Sequence, residues 1–230
     1  MKFLTLLKKE LREAVPWIIL AVITLFIIGW FIIRLHIIYY TEQFYFGILT
    51  TGTVINQGFI FRTDIIQGIA VLMFFISILL GLALGIRHFW IPGFTRTWQF
   101  LIHRSIKKST VLSAKISAAA ILLFCLSLAW LLLISLISIS EKIIVPPDAG
   151  IVWLGIFYAY LGFIVYIGTS LCAITRTRWY TTKMFGLFFV FIMYLMILGQ
   201  TKFLNAFLIT FVVLALLIIQ VYHIFLQREF

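Results

Sequence analysis

The side chains that could carry out acid–base or metal chemistry are few, and they are spread along the sequence. The candidates that share one predicted side of the protein are Glu10, Glu13, His88, His103, His223 and Glu229. The motifs H-E-x-x-H, G-x-S-x-G and C-x-x-C do not occur, so no metalloprotease, hydrolase or redox site is indicated. No Gly-Lys dipeptide is present, which excludes the phosphate-binding loop G-x-x-x-x-G-K-[ST]. The sequence therefore predicts neither a catalytic site nor a cofactor or metal site, and an enzyme acting on lipids is the weakest interpretation.

The composition points to a membrane protein. Of the 230 residues, 64% are hydrophobic and 11% are charged, whereas soluble domains are usually about 45–50% apolar and about 25% charged. A helix needs about 20 apolar residues to cross a bilayer, so a chain of this length has room for six or seven spans and little else. We therefore predict an all-α polytopic membrane protein with a single transmembrane domain, residues 1–230.

Six apolar stretches, separated by charged or turn-forming residues, are long enough to be transmembrane helices. Residues 1–14 precede the first stretch, and residues 87–110 form the longest basic connection between two of them. The predicted spans are residues 15–33, 65–86, 111–137, 151–175, 181–198 and 203–226.

The distribution of charge predicts the orientation of these spans. With both termini in the cytoplasm, 14 of the 18 Lys and Arg residues lie on the cytoplasmic side, as the positive-inside rule expects. The net charge of +11 is therefore explained by topology, and no loop is long enough to fold into a nucleic-acid-binding surface. No Asp or Glu falls inside a predicted span, which argues against transport driven by an ion gradient.

The N-terminal residues have the pattern of an amphipathic helix that lies in the membrane interface. Pro16 follows at the position where we expect the chain to turn into the first span. A basic N-terminus that only sets the topology is the alternative interpretation. The apolar face of the predicted helix is Phe3, Leu4, Leu7 and Leu11, and its basic residues are Lys8, Lys9 and Arg12.

A second short amphipathic helix is predicted within the 87–110 connection. Trp98, Leu101, Ile102 and Ser105 share one helical face, and Pro92-Gly93 separates this helix from the second span. Such a helix, parallel to the membrane, is accessible to a cytosolic partner. From the residue pattern alone, a basic connector whose long side chains snorkel to the interface is the preferred interpretation.

The uncharged polar and small residues within the spans predict packing rather than catalysis. Gly81 and Gly85 form a small-xxx-small pair, typical of close helix contact within a bundle or at a dimer seam. Hydroxyl side chains in a helix can bond to their own backbone, so none of them marks a pathway strongly. A pathway lined by such residues would suit a lipid-like substrate better than an ion. The uncharged polar residues within the predicted spans are Ser127, Ser135, Thr169, Ser170, Thr210 and Gln220.

Two stretches resemble the membrane subunits of type-2 ATP-binding-cassette (ABC) exporters. Residues 3–13, with their Lys-Glu-Leu-Arg core, are similar to the N-terminal interfacial helix of that family. Residues 97–106, followed by 111–115 with Lys115 at the head of the third span, are similar to its cytoplasmic stretch after the second span. Members of the family commonly carry a Glu before this stretch, but residues 87–96 contain no acid, so that role is assigned to no residue here.

The resemblance implies a permease subunit of the prokaryotic inner (cytoplasmic) membrane. A separate ATPase subunit would bind ATP and Mg²⁺, and a second permease chain, identical or different, would complete the pathway, with the first and fifth spans near the seam. With the resemblance added, a coupling helix becomes the preferred interpretation of residues 96–105. A membrane anchor or scaffold that transports nothing is the alternative function. The residues that would dock into the ATPase are Arg96, Trp98, Phe100, Leu101, Ile102, His103 and Arg104.

Overall fold

The computed structural model describes residues 2–51, 57–95, 107–140, 149–175, 184–198 and 203–227. Within these ranges the chain is helical and contains no strand. The long helices are α1 (Lys2–Thr51), α2 (Gln57–Gly85), α4 (Lys108–Ser140), α5 (Ala149–Ile174), α6 (Phe185–Leu198) and α7 (Phe203–Gln227). A π-helical turn (Ile86–Trp90) and the short helix α3 (Ile91–Phe94) extend α2.

The helices confirm a multi-pass membrane protein. Five of the described segments are long and apolar enough to cross a bilayer: Phe3–Leu35, Gly68–Phe94, Lys108–Leu136, Val152–Ile174 and Leu204–Gln227. The predicted span 181–198 corresponds to a shorter apolar helix, Phe185–Ile197. Six spans and cytoplasmic termini therefore stay predictions, while the all-α membrane class is established.

Helix α1 differs from its predicted form. The interfacial helix and the first span are one continuous helix, which contains Pro16, so the turn that we expected at this proline is absent. A proline inside a helix removes one backbone hydrogen bond, at a cost of about 3 kcal/mol. Neighbouring contacts offset this cost, because Ala14 and Leu25 of α1 are completely buried and the helix packs along α4 and α2.

Helix α5 is the centre of the bundle and packs against α2, α4, α6 and α7. Its closest contact is with α2, where the backbones approach at Gly81 and Gly162. A Cβ atom added to Gly162 would lie 2.5 Å from the carbonyl oxygen of Ser77. The predicted packing role of Gly81 and Gly85 is confirmed, because both glycines face α5 within the same chain.

The exposed surfaces of the helices are strongly apolar. Leu20 of α1, Phe124 of α4 and Phe188 of α6 are each about 60% exposed, as expected for side chains that face lipid. Since lipid is as apolar as these side chains, their exposure costs nothing in a bilayer. The helices are instead held together by close packing and by polar contacts.

Candidate functional site

Four polar side chains from distant parts of the chain meet at one end of the bundle, and we call them the polar cluster. They are Glu10 of α1, His88 of the π-helical turn, Lys115 of α4 and Tyr166 of α5. Each is at most 8% exposed. Charged residues are almost never buried to this extent unless they are paired, which makes the polar cluster the most distinctive site in the described residues.

The strongest contact in the polar cluster is the ion pair between Glu10 and Lys115. The Lys115 Nζ donates to Glu10 Oε1 at 2.8 Å, and both side chains are at most 10% exposed. Removing one partner of a buried pair leaves an uncompensated charge, which costs about 3–5 kcal/mol. The pair therefore holds the N-terminal part of α1 against the start of α4.

His88 joins the pair to the central helix α5. Its Nδ1 lies 3.1 Å from the Tyr166 hydroxyl, within hydrogen-bond distance. Its Nε2 is buried and makes no hydrogen bond, although Glu10 Oε2 lies only 3.7 Å away. This separation is less than 1 Å longer than a hydrogen bond, so His88 lies beside both the Glu10 carboxylate and the Tyr166 hydroxyl.

The π-helical turn explains why His88 faces the interior. A π turn contains one more residue per turn than an α-helix, and such turns often occur at functional sites. Here the turn buries both His88 and Phe89 and leaves Ile86 exposed. The ring of Phe89 contacts Tyr166, with ring centroids 6.1 Å apart.

Three partly exposed charges lie beside the polar cluster, and we call them the rim trio: Lys9, Glu13 and Arg87. Glu13 Oε2 accepts a hydrogen bond from Arg87 at 3.4 Å, which links α1 to the π-helical turn. Glu13 Oε1 also lies 3.9 Å from Lys9 on its own helix. Exposed pairs of this kind contribute about 0–1 kcal/mol each, so the rim trio adds little stability.

A further hydrogen bond connects α4 to the last helix. The Ser113 and Tyr222 hydroxyl oxygens are 2.6 Å apart, and Ser113 also contacts the carbonyl of Ser109 at 2.8 Å. Ser113 lies two residues before Lys115, so the start of α4 is attached to both α1 and α7 through side-chain contacts.

The sequence analysis missed the polar cluster. Glu10 and His88 are 78 positions apart in the sequence, yet their side chains lie 3.7 Å from each other. The opposite charges of Glu10 and Lys115 were the one sign of the polar cluster in the sequence. The two residues are 105 positions apart, however, and no local pattern connects them.

The predicted site residues divide into two groups. The predicted ATPase-docking residues, from Arg96 to Arg104, lie outside the described residues, so their arrangement stays a prediction. The predicted interfacial residues lie on α1, where Leu4, Lys8, Lys9 and Arg12 are exposed and Phe3, Leu7 and Leu11 are partly buried.

Hydroxyl groups in the spans bond to their own helices, as predicted. Ser127, Ser135, Ser170 and Thr210 each lie 2.7–2.8 Å from the carbonyl oxygen three residues earlier, and Thr169 bonds to the carbonyl four residues earlier. These five hydroxyls therefore mark no hydrophilic pathway.

The part of the chain that the structure describes contains no group of three or more His, Cys, Asp or Glu side chains placed to hold a metal. The polar cluster is therefore an ion-pair and hydrogen-bond site. Its side chains come from four elements: α1, the π-helical turn, α4 and α5.

The comparisons with known proteins found no matching family model, no matching curated protein and no matching solved structure.

Proposed function

We propose that this chain is the membrane-spanning permease subunit of an ATP-driven exporter of the ABC type. In this proposal, two permease chains form the translocation pathway in the inner membrane of a prokaryotic cell. A separate ATPase subunit binds ATP and Mg²⁺, and it docks on residues 96–105, which we call the coupling segment.

The position of the polar cluster relative to the coupling segment is the observation that carries this proposal. His88 lies eight residues before Arg96, and Lys115 lies ten residues after Ser105. Both side chains lie within 4 Å of the Glu10 carboxylate. Because one carboxylate contacts the chain on both sides of the coupling segment, a displacement of that segment would act directly on α1.

The proposed mechanism uses the polar cluster as a mechanical link. Closure of the paired ATPases would move the coupling segments, because ATP binding has different free energies in the two arrangements of the permease. The movement would reach α2 through the π-helical turn and α4 through its first two turns. The ion pair between Glu10 and Lys115 would then make α1 follow α4, while α5 stays as the fixed centre.

A membrane anchor or scaffold is the second candidate function. The hydroxyls that bond to their own helices favour it, because their donor groups are used within the helix that carries them. A permease should change the ATP turnover of its partner in nanodiscs, whereas a passive anchor should leave the turnover unchanged.

The first test of the proposed function is the identity of the partner. The tagged chain is purified in mild detergent from its native cells, and the bound proteins are identified by mass spectrometry. The permease proposal expects a nucleotide-binding subunit at stoichiometric amounts. Recovery of other membrane proteins alone, or of none, would contradict it.

A matched pair of substitutions then tests the coupling segment. Phe100→Asp introduces a charge at one of the predicted docking residues, while Gln99→Asp introduces the same charge at a neighbouring residue that is not among them. We expect Phe100→Asp to abolish the effect of the chain on partner ATP turnover and Gln99→Asp to preserve it, with equal membrane insertion. Wild-type coupling in Phe100→Asp would contradict the assignment.

A further inference from the structure

An open apolar groove runs between α1 and α2, directly above the rim trio. It has a volume of about 170 Å³ and is lined by Trp17, Leu20 and Thr24 of α1 and by Ile76, Leu79 and Ala83 of α2. Apolar cavities of about 150 Å³ are large enough to hold a molecule of the size of benzene. The groove therefore has room for part of an acyl chain.

The groove is lined almost entirely by apolar side chains, and the indole N–H of Trp17 lies at the end next to the rim trio. Its only hydroxyl, on Thr24, donates to the carbonyl of Leu20 at 2.8 Å. Leu20 and Leu79 at the mouth are 58% and 64% exposed, so the groove opens toward the lipid. An apolar chain that enters from the bilayer fits this surface.

The rim trio lies one helical turn from one end of the groove. Glu13 precedes Trp17 by four residues and Arg87 follows Ala83 by four residues, each about 6 Å along a helix axis. The two helices run antiparallel, because Glu13 of α1 bonds to Arg87, while Gly29 of α1 lies beside Ile69 of α2. Trp17, which is 40% exposed, stands at the boundary, a position where tryptophan commonly meets lipid headgroups.

We propose that the groove and the rim trio bind one phospholipid with a zwitterionic phosphate–amine headgroup, of the phosphatidylethanolamine type. An acyl chain fills the groove. The phosphate accepts hydrogen bonds from Arg87 and Lys9, and the ammonium group contacts the Glu13 carboxylate. The two cations and one anion of the rim trio match the two signs of this headgroup. An anionic lipid would lack the partner for Glu13. This inference does not depend on the proposed transport function.

Native mass spectrometry of the purified chain tests the proposal. Palmitoyl-oleoyl phosphatidylethanolamine is titrated into the detergent-solubilised protein, in parallel with the phosphatidylglycerol that has the same acyl chains. We expect one phosphatidylethanolamine per chain to bind about tenfold more tightly than phosphatidylglycerol, because only its headgroup places a cation beside Glu13. Equal binding of the two lipids, or no bound lipid, would overturn the proposal.

Two tryptophan substitutions localise the lipid. Ala83→Trp fills the groove, whereas Ala120→Trp adds the same bulk to the exposed surface of α4. We expect the first to weaken phosphatidylethanolamine binding about tenfold and the second to leave it unchanged. Leu79→Trp at the exposed mouth of the groove serves as a second variant if Ala83→Trp does not fold.

The headgroup contacts are tested separately. Glu13→Gln should remove the preference for phosphatidylethanolamine over phosphatidylglycerol, while Arg87→Ala should weaken the binding of both. Unchanged binding in the groove-filling and headgroup variants would overturn the site. A wild-type dimer without bound lipid, converted to monomer by Ala83→Trp, would also overturn it and would identify the groove as an interface between copies of the chain.

Discussion

Two pairs of helices in this bundle are held together in opposite ways. Helices α2 and α5 meet backbone to backbone at Gly81 and Gly162, with no space for a side chain between them. Helices α1 and α4 meet through the buried ion pair of Glu10 and Lys115. The glycine contact has one geometry, because any separation loses the packing. The ion pair depends on charge, because the buried Glu10 carboxylate needs the Lys115 cation beside it. The contact between α2 and α5 therefore depends on shape, whereas the contact between α1 and α4 depends on a pair of buried charges.

The largest loss of stability is expected when one partner of the buried ion pair is replaced. Lys115→Met leaves the Glu10 carboxylate buried without its cation, and we expect a loss of about 3–5 kcal/mol in the free energy of unfolding. Unfolding of the purified protein in detergent is the measurement, with Lys107→Met as the control because Lys107 is exposed. Equal stability of the two variants would show that the pair does not hold α1 to α4.

A much smaller substitution at the contact between α2 and α5 is expected to lower the free energy of unfolding almost as much. Gly162→Ala places a methyl group 2.5 Å from the Ser77 carbonyl oxygen, and overpacking of this kind costs about 1–3 kcal/mol. Gly93→Ala is the control, because a Cβ atom there meets nothing within 4 Å. That control should be neutral or slightly stabilising, since alanine favours a helix more than glycine does. A neutral Gly162→Ala would contradict a rigid α2–α5 contact.

The smallest loss of stability is expected from a substitution in the rim trio. Glu13→Gln weakens the exposed contacts to Lys9 and Arg87, each of which contributes about 0–1 kcal/mol. The midpoint of thermal unfolding in detergent should change little, and the remaining difference should disappear at high salt. A loss as large as that of Lys115→Met would mean that the rim trio, and not the buried pair, fastens α1.

The sequence predicted the parts of this fold that follow from local pattern. The apolar stretches predicted helices close to the observed ones, for example 203–226 against Phe203–Gln227, because length and hydropathy are local properties. The packing role of Gly81 could also be predicted from the sequence, because small residues at four-residue spacing indicate close packing in any bundle.

The polar cluster could not be predicted in the same way. Its contacts join residues 78 to 105 positions apart, and in the sequence Glu10 looks like one more charge on an amphipathic surface helix. The π-helical turn that directs His88 inward has no composition signal of its own. The continuous helix through Pro16 depends on tertiary contacts that offset the local preference to turn. The predicted coupling segment lies outside the described residues, so its helix stays a prediction.

The double substitution Glu10→Leu/Lys115→Leu tests the central claim most directly, which is that the buried pair transmits movement between α4 and α1. Replacing a buried ion pair with apolar side chains is often neutral for stability, so we expect the double variant to unfold near the wild-type temperature. In nanodiscs with the ATPase subunit that the proposed function requires, we expect it to lose the effect of this chain on ATP turnover. Wild-type turnover in a stable double variant would contradict the claim, because the charges would then be dispensable for coupling.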